Sequence, residues 1–259
     1  MREGVAMYLR GFRLPTMAQL VEEAMAKAEA EDWGYRRLLT FLCESEHQDR
    51  QRRRIQRFLA ESNLPPDKTL ANLEQKRFPV AVRRELASLL EGTFVDRAEN
   101  VLAFGLPGRG KTHFLAALGR ELVTQYQRRV LFVRTDMLVE RLLRARTDLA
   151  WEDERRRLDR YAAIIVDELG YVEHRREQME VFFQFVSACN ERRSLLISSN
   201  LVFSQWDRIF KDAMTSMATI ERLTQRSHIL RFTNERFGGR LPGQSEDPAP
   251  PTRDVEPKP

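Results

Sequence analysis

Cysteine is nearly absent from this chain of 259 residues: only Cys43 and Cys189 occur. They are far apart and lack metal-ligand spacing, so neither a disulfide framework nor a cysteine-built metal site is expected. Each falls in an apolar-periodic segment and reads as a small buried hydrophobe, which suits a reducing compartment. Long apolar runs are missing as well. None approaches the ~20 residues of a membrane span, and the opening MREGVAMYLRGFRLPTM has no apolar core of signal-peptide length. The expectation is a soluble cytoplasmic protein with no membrane partner. Proline is scarce except at one end. Six of the 11 prolines crowd into residues 241–259, LPGQSEDPAPPTRDVEPKP, a stretch with almost nothing apolar. Such a segment cannot offset its ordering entropy and is expected to be disordered.

What the chain has in quantity is charge. Lys and Arg number 43 against 38 Asp and Glu, a formal net charge of +5 at pH 7. That balance tilts toward an acidic partner, nucleic acid being the usual one. Arginine dominates, and its planar fork suits phosphate better than a lysine point charge does.

Three regions separate by pattern. Residues 16–61 read as two helices, with Thr16 capping the first, Trp33-Gly34 marking the turn, and Leu38, Leu39 and Leu42 at helical spacing. NLPPDKT then stops the second helix, because two prolines cannot continue it. From residue 67 to about 240, helical patterns alternate with the apolar runs NVLAF, RRVLFVRT, YAAIIVDE, SLLISSN and HILRFT. Strands this apolar, alternating with helices, predict a parallel sheet covered on both faces. The expected organisation is a helical domain at 1–66, an α/β domain at 67–240 and the proline-rich tail at 241–259.

Between NVLAF and the next helix stands GLPGRGKT, which fits G-x-x-x-x-G-K-[ST] with Gly105, Gly110, Lys111 and Thr112 at the defining positions. This spacing makes a loop whose backbone N–H groups turn inward around phosphate oxygens. The following helix adds its positive dipole end. Lys111 would reach the β- and γ-phosphates of ATP, and the Thr112 hydroxyl would ligate Mg²⁺. Pro107, Gly108, Arg109 and His113 complete the expected nucleotide-binding stretch.

A second signal agrees. YAAIIVDELGY is an apolar strand ending in Asp167 and Glu168. One acid after a buried strand suits a Mg²⁺ contact, here Asp167. The next, Glu168, could orient and deprotonate an attacking water, which points to hydrolysis rather than transfer. Asn200 ends the apolar run SLLISSN, where ligands bind in open α/β sheets, and could fix that water. A lone Asn there is equally read as a turn residue.

These segments, with IERLTQRSHIL near the end and LPTMAQLVEEA near the start, resemble the IstB-like ATPases. Those are helper proteins of bacterial insertion-sequence transposons, related to DnaC-type helicase loaders within the AAA+ superfamily. The resemblance spans about residues 8–237. It implies an α/β AAA+ P-loop NTPase with a parallel five-stranded sheet in three αβα layers, preceded by a small all-α domain. No C-terminal lid is expected, since little more than the tail follows HILRFTNERF. It also implies a bacterial cytoplasmic ATPase that self-assembles on double-stranded DNA with ATP and hands target DNA to a cognate transposase. The family's arginine finger, acting on a neighbouring subunit's ATP, falls on Arg222, with Arg226 as reserve. Glu221 stands where the family has Asp, and Leu106 where many relatives have proline. The nearest alternative is a helicase loader. Others are a small-molecule P-loop kinase, which would need no Arg222, and an inert ATP-binding scaffold.

Two stretches could meet DNA phosphates. RQRRRIQR, residues 50–57, carries Arg50, Arg52, Arg53, Arg54 and Arg57, although Glu46 and Asp49 are placed to pair with part of it. The segment between the second and third apolar runs reads as two helices and offers Arg141, Arg144 and Arg146, weakened by the acidic WEDE that follows.

Overall fold

The computed structural model describes residues 2–171, 175–210 and 213–233. The run NVLAF forms β1 (Asn100–Phe104), buried along its whole length. Parallel to it lie β2 (Val130–Arg134), β3 (Ala163–Leu169), β4 (Ser194–Ser199) and β5 (Ser227–Arg231). All five runs expected to be strands are strands, and they hydrogen-bond in the order β2-β3-β4-β1-β5.

Both faces are covered because both are apolar. Val101 and Ala103 of β1 and Ile165 of β3 join a core layer with α4 (Val80–Leu89) and α6 (Lys111–Thr124). Leu102, Phe104, Ile164 and Val166 point the opposite way. They meet α7 (Thr135–Thr147), α8 (Trp151–Leu158) and α9 (Arg176–Cys189). The alternation of one residue up, one down is the two-residue period of a strand, and the result is the three-layer αβα sandwich. A short α5 (Thr93–Asp96) precedes β1, and α10 (Asp207–Phe210) and α11 (Ala213–Thr224) precede β5.

The N-terminal region holds three helices: α1 (Arg2–Gly11), α2 (Pro15–Ala30) and α3 (Tyr35–Glu61). Met17, Val21, Ala24 and Leu42 form a small core of their own with Leu38 and Phe41. The far end of α3 packs elsewhere, with Ile55, Phe58 and Leu59 against the sheet's core. Residue 66 therefore falls just after a helix that belongs to both units. Ser62, past its end, accepts the N–H of Phe132 at 2.7 Å and covers the β2 edge. The tail at 241–259 lies outside the described residues, as does the upper end of the 67–240 domain.

Two expectations are corrected. Cys43 is exposed, because it lies on the outer side of α3, while Cys189 is buried. Thr16 does not cap α2; it sits inside the first turn, after Leu14 at the N-cap and Pro15. Its hydroxyl donates to Asp49 at 2.7 Å. The cap comes from another helix. Buried Glu46 of α3 accepts the N–H of Thr16 at 2.8 Å and of Met17 at 3.1 Å, and pairs with Arg50 at 2.7 Å. A carboxylate suits a helix N-terminus, whose first N–H groups lack partners and carry positive partial charge. Burial alone would raise the Glu46 pKa, but the Met17 N–H, Arg50 and the Thr16 N–H outweigh it and leave it lowered.

Glu46→Ala is therefore expected to destabilise the helical hairpin by about 1–2 kcal/mol at neutral pH, the cost of a lost cap. A carboxylate with a lowered folded pKa contributes above its ordinary value of 4.5 and loses that contribution as pH falls below it. Urea unfolding followed between neutral and acid pH should show the gap between variant and parent closing below about 4.5. A gap that is constant with pH contradicts the assignment.

Candidate nucleotide-binding site

The loop from Gly105 to Gly110 joins β1 to α6 at the C-terminal end of the sheet. A Cβ on Gly105 would lie 2.5 Å from the Phe232 carbonyl oxygen, so only glycine lets the loop start this close to the chain leaving β5. Gly110 has φ +87 and forms the N-cap of α6, a conformation that costs other residues. Among the described residues, the N–H groups of Gly108, Gly110, Lys111 and Thr112 have no hydrogen-bond acceptor. Converging unpaired N–H groups at a helix N-terminus are an anion cradle. Lys111 is buried, and its ammonium donates to the carbonyls of Gly105 at 2.5 Å and Leu106 at 3.0 Å. Burial pushes its pKa down to about 8; Asp167 and Glu168 oppose that and Arg109 adds to it. Among the described residues no carboxylate holds the ammonium, so it can be given to a phosphate.

Below the loop the acid pair is set by a bulge. Val166 pairs with Ile197, but Leu169 pairs with Ser199, so β3 has one residue more than β4 between these points. The bulge re-aims neighbouring side chains. Asp167 is buried and its Oδ1 accepts the hydroxyls of Thr112 at 2.9 Å and Ser198 at 2.5 Å. Ser198 in turn accepts the N–H of Glu168 at 2.9 Å. Glu168, at φ +62, projects outward to within 3.5 Å of Arg134, which also bonds Asp136. Thr135 ties the Asp167 carbonyl at 2.8 Å. Hard oxygen donors from Thr112 and Asp167 thus meet at the loop's end, a donor set that fits Mg²⁺. The Asn200 Oδ1 is buried without a partner among the described residues, and the adjacent Ser199 carbonyl accepts the Gly105 N–H at 3.2 Å.

A cleft of about 320 Å³ opens beside the cradle, walled by the loop and by Lys68, Asn72, Leu73 and Glu74. His113 fastens this wall by donating Nε2–H to the Thr69 carbonyl at 3.0 Å. No motif marks this wall, nor does one mark Arg134 or Ser198. Those two stand in strand register beside the acid pair, Arg134 opposite Asp167, a relation that exists only once the strands are paired.

Arg222 lies elsewhere. It lies in the last turn of α11, donates to the Ala218 carbonyl at 3.0 Å and rests on the Phe183 ring at 5.0 Å. The neighbouring Leu223 carbonyl accepts the Asn100 side chain at 3.0 Å, and the Arg226 carbonyl accepts the Asn100 N–H at 2.8 Å. Both arginines therefore flank the start of β1, a strand's length of about 15 Å from the loop at its other end.

The arginines expected to meet DNA are largely paired. Arg50 binds Glu46; Arg52 and Arg53 both bind Asp49. Arg54 donates to Gln127 at 3.3 Å, and Arg57 sits on Phe58. Arg141 binds Glu154, Arg144 binds Glu140 at 3.5 Å and Arg146 binds Glu180 at 3.7 Å.

The model of the IstB-like ATP binding proteins matches residues 7–244. The chain belongs to that family. A protein of Sinorhizobium fredii, described as an insertion sequence ATP-binding protein, is 36% identical over 88% of this chain and 77% of its own. The IS21 ATP-binding protein of Pseudomonas aeruginosa is 32% identical over 88% of this chain and 86% of its own. Among solved structures, the replication initiator DnaA bound to AMPPCP and single-stranded DNA superposes with TM-score 0.56. It is 15% identical, over 67% of this chain and 52% of that one. DnaI superposes with TM-score 0.55 at 18% identity, over 66% of this chain and 96% of that one. These likenesses show that the five-stranded parallel α/β fold here is shared with DnaA and DnaI. No helix among the described residues is long and apolar enough to cross a membrane.

Lys111→Ala is expected to weaken ATP binding at least ~100-fold, the weight of about two charge-assisted contacts. Unfolding without nucleotide should be no easier, since the buried ammonium it removes is met by two carbonyls and, among the described residues, by no carboxylate. Titration with a fluorescent ATP analogue and urea unfolding check both halves. Binding within about tenfold of the parent contradicts the role of Lys111.

Proposed function

We propose that this protein is an ATP-dependent DNA-assembly factor for transposition. It assembles with copies of itself on double-stranded DNA when ATP is bound, presents that DNA to a cognate transposase, and disassembles on hydrolysis. The carrying observation is the bonded set Thr112–Asp167–Ser198–Glu168 beneath a loop of unpaired N–H groups. The insertion-sequence context of the relatives supports the transposition half.

In this reading Lys111 and the loop N–H groups bind the β- and γ-phosphates of ATP. Thr112 and Asp167 would hold Mg²⁺, which supplies charge neutralisation at the phosphates. Glu168 is half-exposed at the strand end and orients a water, taking its proton as the water attacks. Asn200 holds that water by its unpartnered oxygen. Arg222 cannot serve its own loop from the far end of β1, so it serves a neighbour's, and hydrolysis requires assembly. The helicase-loader alternative shares all of this chemistry. The likeness to DnaI is one of fold alone, and the relatives favour transposition.

Glu168→Gln should bind ATP within about threefold of the parent and lose at least ~100-fold in turnover, the usual weight of a general base. Parental turnover in that variant removes Glu168 from its role. Arg222→Ala and Lys111→Ala should each be inactive alone but regain turnover when mixed, because an intact loop then meets an intact arginine. A mixture as silent as its components contradicts action across subunits.

A further inference from the structure

Among the described residues, one of the two arginine-lined grooves has no carboxylate in its lining. A groove of about 420 Å³ runs along α3 and is closed on its far side by Gln127, in the turn after α6. Arg50, Arg53, Arg54 and Arg57 line it, and no acid does. From residue 50 to residue 60 the helix carries no acid at all. The arginines are not equivalent. Arg50 is held by Glu46 and by the Arg13 carbonyl at 2.5 Å. Arg53 is held by Asp49 and donates to the Thr16 hydroxyl at 2.8 Å. Hydrogen bonds from Thr16 and Arg53 push the Asp49 pKa down to about 2, so that carboxylate is fully engaged by its own neighbours. Arg52 is tied to the same Asp49 and does not line the groove.

Arg54 and Arg57 differ: neither has a carboxylate partner among the described residues. They stand three residues apart and so share a helix face. Two unneutralised guanidinium groups beside two more arginines repel one another, and an anion relieves that repulsion. The larger cleft, about 720 Å³ between α7 and α8, is different in kind. Arg134, Arg141, Arg144 and Arg157 line it, and each already has a carboxylate partner. A phosphate there must displace an acid before it gains an arginine.

We infer that the α3 groove, through Arg54 and Arg57 with Gln127 opposite, is the surface that grips the DNA phosphate backbone, and that the α7–α8 arginines are structural. This rests on the DNA-binding reading above and narrows it to one surface. Its donors are backbone-directed, so it grips any sequence. Because Gln127 follows α6, the helix that begins at the phosphate loop, duplex in this groove bears on the same rigid element as ATP.

The test is fluorescence anisotropy of the full chain with ATP and a labelled duplex, across salt from about 50 to about 200 mM. Each phosphate contact contributes about 0.9 to the slope of log affinity against log salt. Arg54→Ala with Arg57→Ala should lower that slope by about 1.8, so that the fall in affinity across this range shrinks roughly tenfold. Gln127→Glu, which puts a carboxylate beside Arg54 without altering the sequence of α3, should weaken binding likewise. Arg144→Ala with Arg146→Ala should leave the slope unchanged. A slope that responds to the α7 pair and not to the α3 pair overturns the assignment while DNA binding itself stands. A parent chain that binds no duplex overturns the DNA reading and the groove together. ATP affinity of each variant, unchanged, shows that the fold is intact.

Discussion

One carboxylate oxygen holds the site together. Asp167 Oδ1 accepts from Thr112 on α6 and from Ser198 on β4, while its own residue belongs to β3. Three elements thus meet at a buried acid, and burial makes each bond matter more, because an orphaned partner there has no water to turn to. The position of Glu168 follows from this: its N–H is received by the same Ser198. Without that junction the loop would still be glycine-rich, but the acid pair would have no fixed relation to it.

The sheet exists to put this junction at its edge. Five parallel strands end their C-termini on one side, and the loop, the bulge of β3 and the end of β4 all lie there. The apolar layers on both faces keep water from the central strands β1, β3 and β4. The arginine of α11 is placed by the same geometry at the opposite end, beside the start of β1. A parallel sheet therefore separates a phosphate loop from the residues that precede its last strand.

Much of this is legible in the residues. The five strands are marked by apolar runs too dense for a half-exposed sheet, and the loop by glycines whose spacing has a mechanical reason. Thr112, Asp167 and Glu168 are marked by their places at element ends. Three things are not legible. Thr16 has the chemistry of a cap, yet Glu46, far along the chain on α3, takes the N–H groups; a distant acid outcompetes a local hydroxyl only after the hairpin has formed. Ser198 and Arg134 look like any polar residues at strand ends until the register is known. Cys43 follows the helical period closely enough to read as buried, but lies on the open side of α3.

The longest helix has apolar footing at its two ends, and Glu46, Asp49, Arg50 and Arg53 tie its middle to α2 and to Arg13 by hydrogen bonds. Leu38, Phe41 and Leu42 anchor α3 in the hairpin, and Ile55, Phe58 and Leu59 anchor it on the sheet, with polar side chains between. Its 27 residues form a beam of about 40 Å. A tilt of about 10° where it meets the sheet would carry its other end by about 7 Å. A small tilt where α3 meets the sheet would thus be magnified at the hairpin, with the α/β core as fulcrum.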